Sequence, residues 1–295
     1  MTFENNFNQD SELIGKKIHQ YTIVRFISKG GFGKVYKVAS DEKTFAIKIP
    51  IIEKKRSIDN LEYEFKTINE LSNRDKGIMN VRLLEYPIYK YVLMMDLLGN
   101  SLEDTKINNV YELANIFTDI VNTLEYVHSL GYIHRDITPK NFTYSPINKG
   151  KLFLIDFGLA SRWCKSSSCK ETDHVHEHIN RDKDGLCGTM KYMSINSHRF
   201  LKQSRRDDLE SAMYTIVDIY KEGLPWKKKT NKSKKYNLSY ICKQKQEIKL
   251  EETYPELKSV FGKVFSHIRN LGWTMYPEYI KIKSHLRNKQ ESDSY

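Results

Sequence analysis

The chain has 295 residues, 39% of them hydrophobic and 12% aromatic, which is enough apolar surface to offset the entropy of ordering and so excludes wholesale disorder. Lysine and arginine outnumber aspartate and glutamate 48 to 37, so the surface should draw anions such as phosphates, acidic peptides, nucleic acid or anionic lipid, which charge alone does not rank. The four cysteines, Cys164, Cys169, Cys187 and Cys242, are too few for a disulfide framework. No secretory signal precedes them and no stretch approaches the ~20 apolar residues of a membrane span, so the expectation is a soluble protein of a reducing compartment.

The first residues, rich in Asn and Asp, lack periodicity and read as a loose leader over 1–17. From Tyr21 to Val38, and again from Thr44 to Ile49, β-branched and aromatic residues alternate around a glycine cluster, which predicts antiparallel strands. The cluster itself is Ser28-Lys29-Gly30-Gly31-Phe32-Gly33-Lys34-Val35. Its glycines would let backbone N–H groups approach a triphosphate, although an ordinary hairpin turn reads the same way. A dinucleotide-binding loop fits less well, because a strand rather than a helix follows the last glycine.

Ala46-Ile47-Lys48 lies on the next strand, where Lys48 would reach α- and β-phosphates if a carboxylate held its ammonium. Leu61, Phe65, Ile68 and Leu71 recur at helical spacing. That puts Glu64 at the edge of the buried face, with Glu62 as the alternative partner and a solvated helix charge as the bland reading of either. A further strand ends in Tyr91-Val92-Leu93-Met94-Met95. After Leu97-Leu98-Gly99 the pattern turns helical, with long periodic stretches at Tyr111–Leu130 and Asp207–Tyr220. A strand-rich first third and a helical remainder suggest two unequal lobes around a cleft near Leu98.

His134-Arg135-Asp136-Ile137-Thr138-Pro139-Lys140-Asn141 sets an acid and an amide five residues apart in a loop after a helix. Asp136 can orient a hydroxyl proton, Asn141 offers a neutral oxygen to magnesium, and Asp156 of Asp156-Phe157-Gly158, after the apolar run Leu152–Ile155, offers a charged one. With Lys48 upstream these match the protein-kinase signature.

On those residues the chain resembles protein kinases, and the casein kinase 1 family in particular, from about Ile18 to about Leu286. Further likeness lies in Leu97-Leu98-Gly99-Asn100-Ser101-Leu102-Glu103-Asp104, in Gly188-Thr189-Met190-Lys191-Tyr192-Met193-Ser194-Ile195-Asn196, in Ser204-Arg205-Arg206-Asp207-Asp208-Leu209-Glu210-Ser211 and in Leu224-Pro225-Trp226. The resemblance implies an α+β bilobal protein-kinase fold. Its N-lobe, a small antiparallel β-sheet plus one helix, would span 18–97, its larger and mainly helical C-lobe 98–286, and a short tail 287–295. It implies an ATP- and Mg2+-dependent serine/threonine kinase acting on acidic or phosphate-primed protein substrates, a monomer of the cytoplasm or nucleus, with no specific nucleic acid, no membrane insertion and no regulatory tail.

By position, similar kinases would place Ile27, Ser28, Gly30, Gly31, Gly33, Val35, Ala46, Lys48, Met95, Asp96, Leu98 and Ile155 around ATP, with Met95 beside the adenine and Asp208 bracing the catalytic loop. Simple core packing remains compatible with each apolar member. Arg135, which often pairs with a phosphorylated loop in such enzymes, belongs here to one expected to act without that event. Lys191, Lys232, Lys234 and Lys235, with Arg205 and Arg206, fall where similar kinases bind substrate anions. For the run Trp226–Tyr236 a solvated lysine loop is the alternative.

Three departures stand out: Ser28 for the first glycine, Thr138 for the lysine that steadies the γ-phosphate, and Thr143 for an apolar residue beneath the adenine. Lys140, two residues after Thr138, is the candidate substitute cation. The same departures support a rival reading, a pseudokinase acting as a phosphopeptide-binding scaffold. A cluster of Cys164, Cys169, His174, His176 and His178 suggests zinc by ligand type, but its spacing is irregular.

Overall fold

The computed structural model describes residues 12–51, 56–163, 185–227 and 238–292. The chain divides into two compact units. The first runs to Gly99 and takes in Tyr144–Gly158, and the second comprises Asn100–Thr143 and the chain from Leu159 onward.

The first unit is built on β1 (Lys17–Ile18), β2 (Tyr21–Lys29), β3 (Gly33–Ala39), β4 (Thr44–Pro50), β5 (Val81–Tyr86) and β6 (Lys90–Asp96), with helix α1 (Arg56–Leu71) between β4 and β5. The strands form one antiparallel sheet in the order β1-β2-β3-β4-β6-β5. Strand alternation sends Ile23, Tyr36, Val38, Ile47, Ile49, Val92 and Met94 into one apolar cluster on one face. The intervening residues of β4, Ala46 and Lys48, must then point the other way. Register supplies their neighbours, since Val35 lies opposite Lys48 and Met95 opposite Ala46. Lys48 thus shares a face with Val35, Ala46 and Met95.

On α1 the residues at helical spacing, Leu61, Ile68 and Leu71, are buried, and Glu64 is buried with them at 3% exposure. β2 bulges between Phe26 and Ser28, at Ile27. Gly30 N–H bonds Gly33 O at 2.8 Å to close the tip between β2 and β3. The glycine that β3 cannot replace is Gly33, where a Cβ would lie 2.9 Å from Ile49 O and 3.1 Å from Lys48 Cγ, whereas one at Gly31 would meet nothing.

The second unit is mainly helical. Its elements are α2 (Val110–Ser129), β7 (Tyr132–Ile133), β10 (Ser161–Arg162), α3 (Ile195–His198), α4 (Arg205–Lys221), α5 (Leu238–Glu247), α6 (Leu250–Thr253), α7 (Pro255–Asn270) and α8 (Tyr279–Ser292). After β8 (Phe142–Tyr144) the chain passes into the first unit, where β9 (Leu152–Leu154) follows a turn in which Ser145 N–H donates to Lys151 O. Asn109 caps α2 by accepting from the N–H groups of Tyr111 and Glu112. α2 carries the buried residues Leu113, Phe117, Ile120, Leu124 and Val127, and Phe117 meets Phe261 of α7 edge-on. α4 is unusual in being buried along most of its length, charged first turn included. Among the described residues no helix is long and apolar enough to cross a membrane.

Candidate active site

In the first unit, Lys48 is the hub. Its Nζ donates to Glu64 Oε2 at 2.7 Å and to Asp156 Oδ1 at 2.9 Å, with Lys48 and Glu64 almost wholly buried and the Asp156 side chain 41% exposed. Of the two glutamates weighed, Glu64 reaches Lys48, while Glu62 pairs with the exposed Lys90 at 2.9 Å. Burial alone would lower the Lys48 pKa, but the Glu64 and Asp156 charges more than reverse that, so the ammonium stays charged. Burial pushes the Glu64 carboxyl up to about 7, against the pull of Lys48. Asp156 takes a left-handed conformation at φ 64°, strained for a non-glycine residue and imposed by its surroundings. Gly158 follows, where a Cβ would lie 3.3 Å from Asp156 Oδ1 and 3.6 Å from Glu64 Oε2.

The residues expected around ATP have mixed surroundings. Val35, Ala46 and Met95 lie beside Lys48 on the sheet, and Ile27 is exposed at its bulge. Ser28 pairs with Val35, and Gly30, Gly31 and Gly33 form the β2–β3 tip. Asp96 is ion-paired with Arg74, and Leu98 and Ile155 are half-buried.

In the second unit the loop Ile133–Asn141 presents Asp136 and Asn141. Asn141 Nδ2 donates to Asp136 O at 2.8 Å and to Asp136 Oδ2 at 3.3 Å, so both bonds use the nitrogen and neither uses the amide oxygen. Asp136 Oδ1 accepts from Thr189 N–H at 2.8 Å. The loop is braced from α4: Asp208 accepts the N–H groups of His134 at 2.7 Å and Arg135 at 2.9 Å, and Thr215 Oγ1 donates to Ile137 O at 3.2 Å. Burial would raise the Asp208 carboxyl, yet His128 at 2.9 Å and those backbone donors hold it below its usual range. Arg135, at φ 67°, spends its Nε on Leu159 O at 2.6 Å. Thr138 and Thr143 are buried, and Lys140 is 69% exposed with Glu103 3.4 Å away.

The expected anion-binding residues fall unevenly. Lys191 donates to Asp218 at 2.6 Å. Arg205 is buried over Trp163 at 4.1 Å, and Arg206 is buried against Glu210 at 2.7 Å. Both arginines are engaged in the packing around α4. Lys232, Lys234 and Lys235, and the Cys164–His178 cluster, lie outside the described residues.

Two residues that sequence reasoning missed matter to this loop. Thr189 acts through its backbone, which leaves no mark on residue type. Lys245 of α5 is fully buried, its Nζ donating to Met193 O at 2.7 Å and Met190 O at 3.2 Å, beside His198 Nε2 at 3.2 Å. It therefore ties down the segment that ends on Asp136.

A buried lysine gripped by two carboxylates, and a braced loop with an acid and an amide, are the separate parts of a phosphoryl-transfer site. The chain matches the protein kinase domain over residues 21–291. It is 31% identical over 281 residues to a probable casein kinase I homolog of Encephalitozoon cuniculi, covering 92% of this chain and 85% of that one. A second such homolog from the same organism is 30% identical over 283 residues, covering 92% and 88%. A casein kinase 1-like protein of Oryza sativa subsp. japonica is 32% identical over 292 residues, covering 90% of this chain and 39% of the rice protein. The chain belongs to the protein kinase family and, within it, to the casein kinase 1 type, as an ATP-dependent serine/threonine protein kinase.

Proposed function

We propose that the chain transfers the γ-phosphoryl group of magnesium-bound ATP to serine or threonine hydroxyls of acidic or phosphate-primed proteins. The observation that carries this is the Lys48 hub, a buried cation held charged by Glu64 and Asp156. A decayed site would be free to lose any one of the three. The residues present fit magnesium: Asp156 keeps a carboxylate partly open to solvent, Asn141 bonds Asp136 through its nitrogen rather than its oxygen, and hard oxygens of these two kinds are what the ion takes. When bound, the ion offsets the charge of the phosphate oxygens.

Lys48 binds and orients phosphate oxygens, Glu64 fixes Lys48, and Asp136, itself held by Asn141 and Thr189, receives and orients the acceptor hydroxyl. Lys140 takes the role of the cation missing at Thr138, and its exposure and long ion pair leave it free to swing. Lys191, with Lys232 and Lys235, draws substrate anions, and an incoming phosphate competes with Asp218 for Lys191.

The test is magnesium-dependent ATP turnover on an acidic protein and on a peptide pair differing only in a priming phosphate. Asp136→Asn should abolish turnover, Lys140→Ala should lower it while nucleotide binding persists, and the primed peptide should react faster. Equal rates for the pair would remove the basic substrate site. ATP binding with no turnover in the unaltered chain would favour the scaffold reading that Thr138 and Thr143 suggest.

A further inference from the structure

The carboxylate of Asp136 turns about a soft torsion, so its direction is set by the donors it meets. Asn141 Nδ2 reaches Oδ2 at 3.3 Å, and Thr189 N–H reaches Oδ1 at 2.8 Å. The shorter bond comes from outside the catalytic loop, from the segment Cys187–Met193. Whatever holds that segment therefore helps to aim Asp136.

The segment contains a tight turn. Thr189 O accepts from the N–H groups of Tyr192 at 2.8 Å and Met193 at 2.9 Å, while Thr189 N–H lies outside the turn, on Asp136. Side chains from elsewhere in the second unit hold further carbonyls of the segment. Ser197 Oγ of α3 donates to Cys187 O at 2.9 Å, and Trp226 Nε1 donates to Lys191 O at 3.0 Å. Lys245 Nζ of α5 donates to Met190 O at 3.2 Å and to Met193 O at 2.7 Å.

Lys245 differs from the other two donors. It holds two carbonyls rather than one, and these flank the turn, so it fixes the turn at both ends. Its side chain is wholly buried, with the Tyr214 and Trp226 rings 4.8 and 5.1 Å from the ammonium. Burying a cation on carbonyls alone costs free energy that a methionine of similar reach would not. A group kept in the interior against that cost, with its bonds directed at one backbone segment, serves more than packing. We infer that Lys245 is a positioning residue for phosphoryl transfer: by pinning Met190 O and Met193 O it keeps Thr189 N–H on Asp136 and so sets the carboxylate for the acceptor hydroxyl. The inference rests on the reading of Asp136 as the group that receives that hydroxyl.

The test is steady-state kinetics of Lys245→Met, with the fraction of chain that binds ATP measured by calorimetry so that kcat refers to folded enzyme. kcat should fall at least about ten-fold, KM for ATP should stay within about two-fold, and the fall in kcat should exceed any rise in KM for an acidic peptide. Lys245→Gln, too short to span both carbonyls, replaces the methionine variant should that one fail to fold. Thr189→Pro removes the N–H itself, and in that background Lys245→Met should lower kcat little further, because both changes act through one bond. Lys243→Met, on the same helix but exposed, should leave kcat unchanged. An unchanged kcat in Lys245→Met, a loss confined to KM, an equal fall in Lys243→Met, or an undiminished effect in the Thr189→Pro background would each overturn the inference. Turnover abolished in Asp136→Asn but intact in Lys245→Met sinks the inference alone, whereas turnover retained in Asp136→Asn sinks the reading of Asp136 and the inference with it.

Discussion

Lys245 brings an ammonium into the interior of the second unit, where Tyr214 and Trp226 rings lie 4.8 and 5.1 Å away and backbone carbonyls replace a carboxylate partner. Burial pushes its pKa down to about 7, and burial together with Lys245 pushes His198 down to about 3, so His198 is neutral and its Nε2 accepts. Between about pH 7 and the ordinary lysine value of 10.5, the unfolded chain therefore binds more protons at this position than the folded one. Stability gains from this group as pH rises through that window, and the burden of the buried charge is full below it. Urea unfolding at pH 7 and pH 9 should show the unaltered chain gaining on Lys245→Met, a difference in which other titrating groups cancel. A pH-independent difference would show that Lys245 is charged throughout.

Gly188 makes a sharper case at the same scale. It sits at φ 99°, and a Cβ there would lie 2.5 Å from Arg135 O and 3.8 Å from Asp136 Oδ1. Gly188→Ala must move the catalytic loop or the segment that carries Thr189. We expect a loss of ~1–3 kcal/mol in stability and a fall in kcat larger than any rise in KM, measured by steady-state kinetics. A variant with normal kcat would mean that the Thr189 contact to Asp136 does not matter.

At the scale of elements, α1 exists to deliver Glu64. Glu64→Gln keeps the shape and one acceptor but removes the charge that offsets Lys48. A charge-assisted bond of ~1.5–3 kcal/mol corresponds to a roughly ten- to hundred-fold loss of kcat/KM, whereas Glu62→Gln, at a residue paired with exposed Lys90, should be neutral. Because burial puts the Glu64 carboxyl at about 7, its protonation should depress activity as pH falls below that value. That limb should be missing from the pH profile of Glu64→Gln.

The Lys48–Glu64 pair was legible because it joins two periodic elements. Alternation on β4 fixes which face Lys48 takes, and helical spacing on α1 fixes the side of Glu64. The strands β2 to β4 and the helices α1, α2 and α4 were legible for the same reason. α5 to α8 were not separated beforehand, since α5 mixes Lys245 into its buried face and α8 interleaves lysines with Ile282 and Leu286. The resemblance sets Arg205 and Arg206 where similar kinases bind substrate anions, and residue type alone does not reveal that Trp163 and Glu210 pack against them. The Thr189 contact left no trace because a peptide N–H is the same whatever the side chain.

For the whole molecule the governing quantity is the formal charge of +11. Part of it is spent internally, as Lys191 on Asp218, Lys283 on Glu125 and Arg206 on Glu210 show. Other cations gather in grooves without carboxylates. One on the second unit, of about 520 Å³, is lined by Lys258, Lys263, Lys281, His267 and His285. Burial, with Lys263, Lys281 and His267 nearby, holds His285 below its ordinary range, so its positive charge is added only in more acid solution. A surface of this sign raises the local concentration of acidic substrate, and the effect is screened as the Debye length shrinks from about 10 Å at 0.1 M salt. Raising ionic strength from about 50 to about 300 mM should therefore increase KM for an acidic peptide several-fold and leave kcat nearly unchanged, while a neutral peptide of the same length shows neither change. Parallel salt responses of the two peptides would mean that the excess charge serves solubility rather than substrate capture, and the proposed preference for acidic substrates would lose this support.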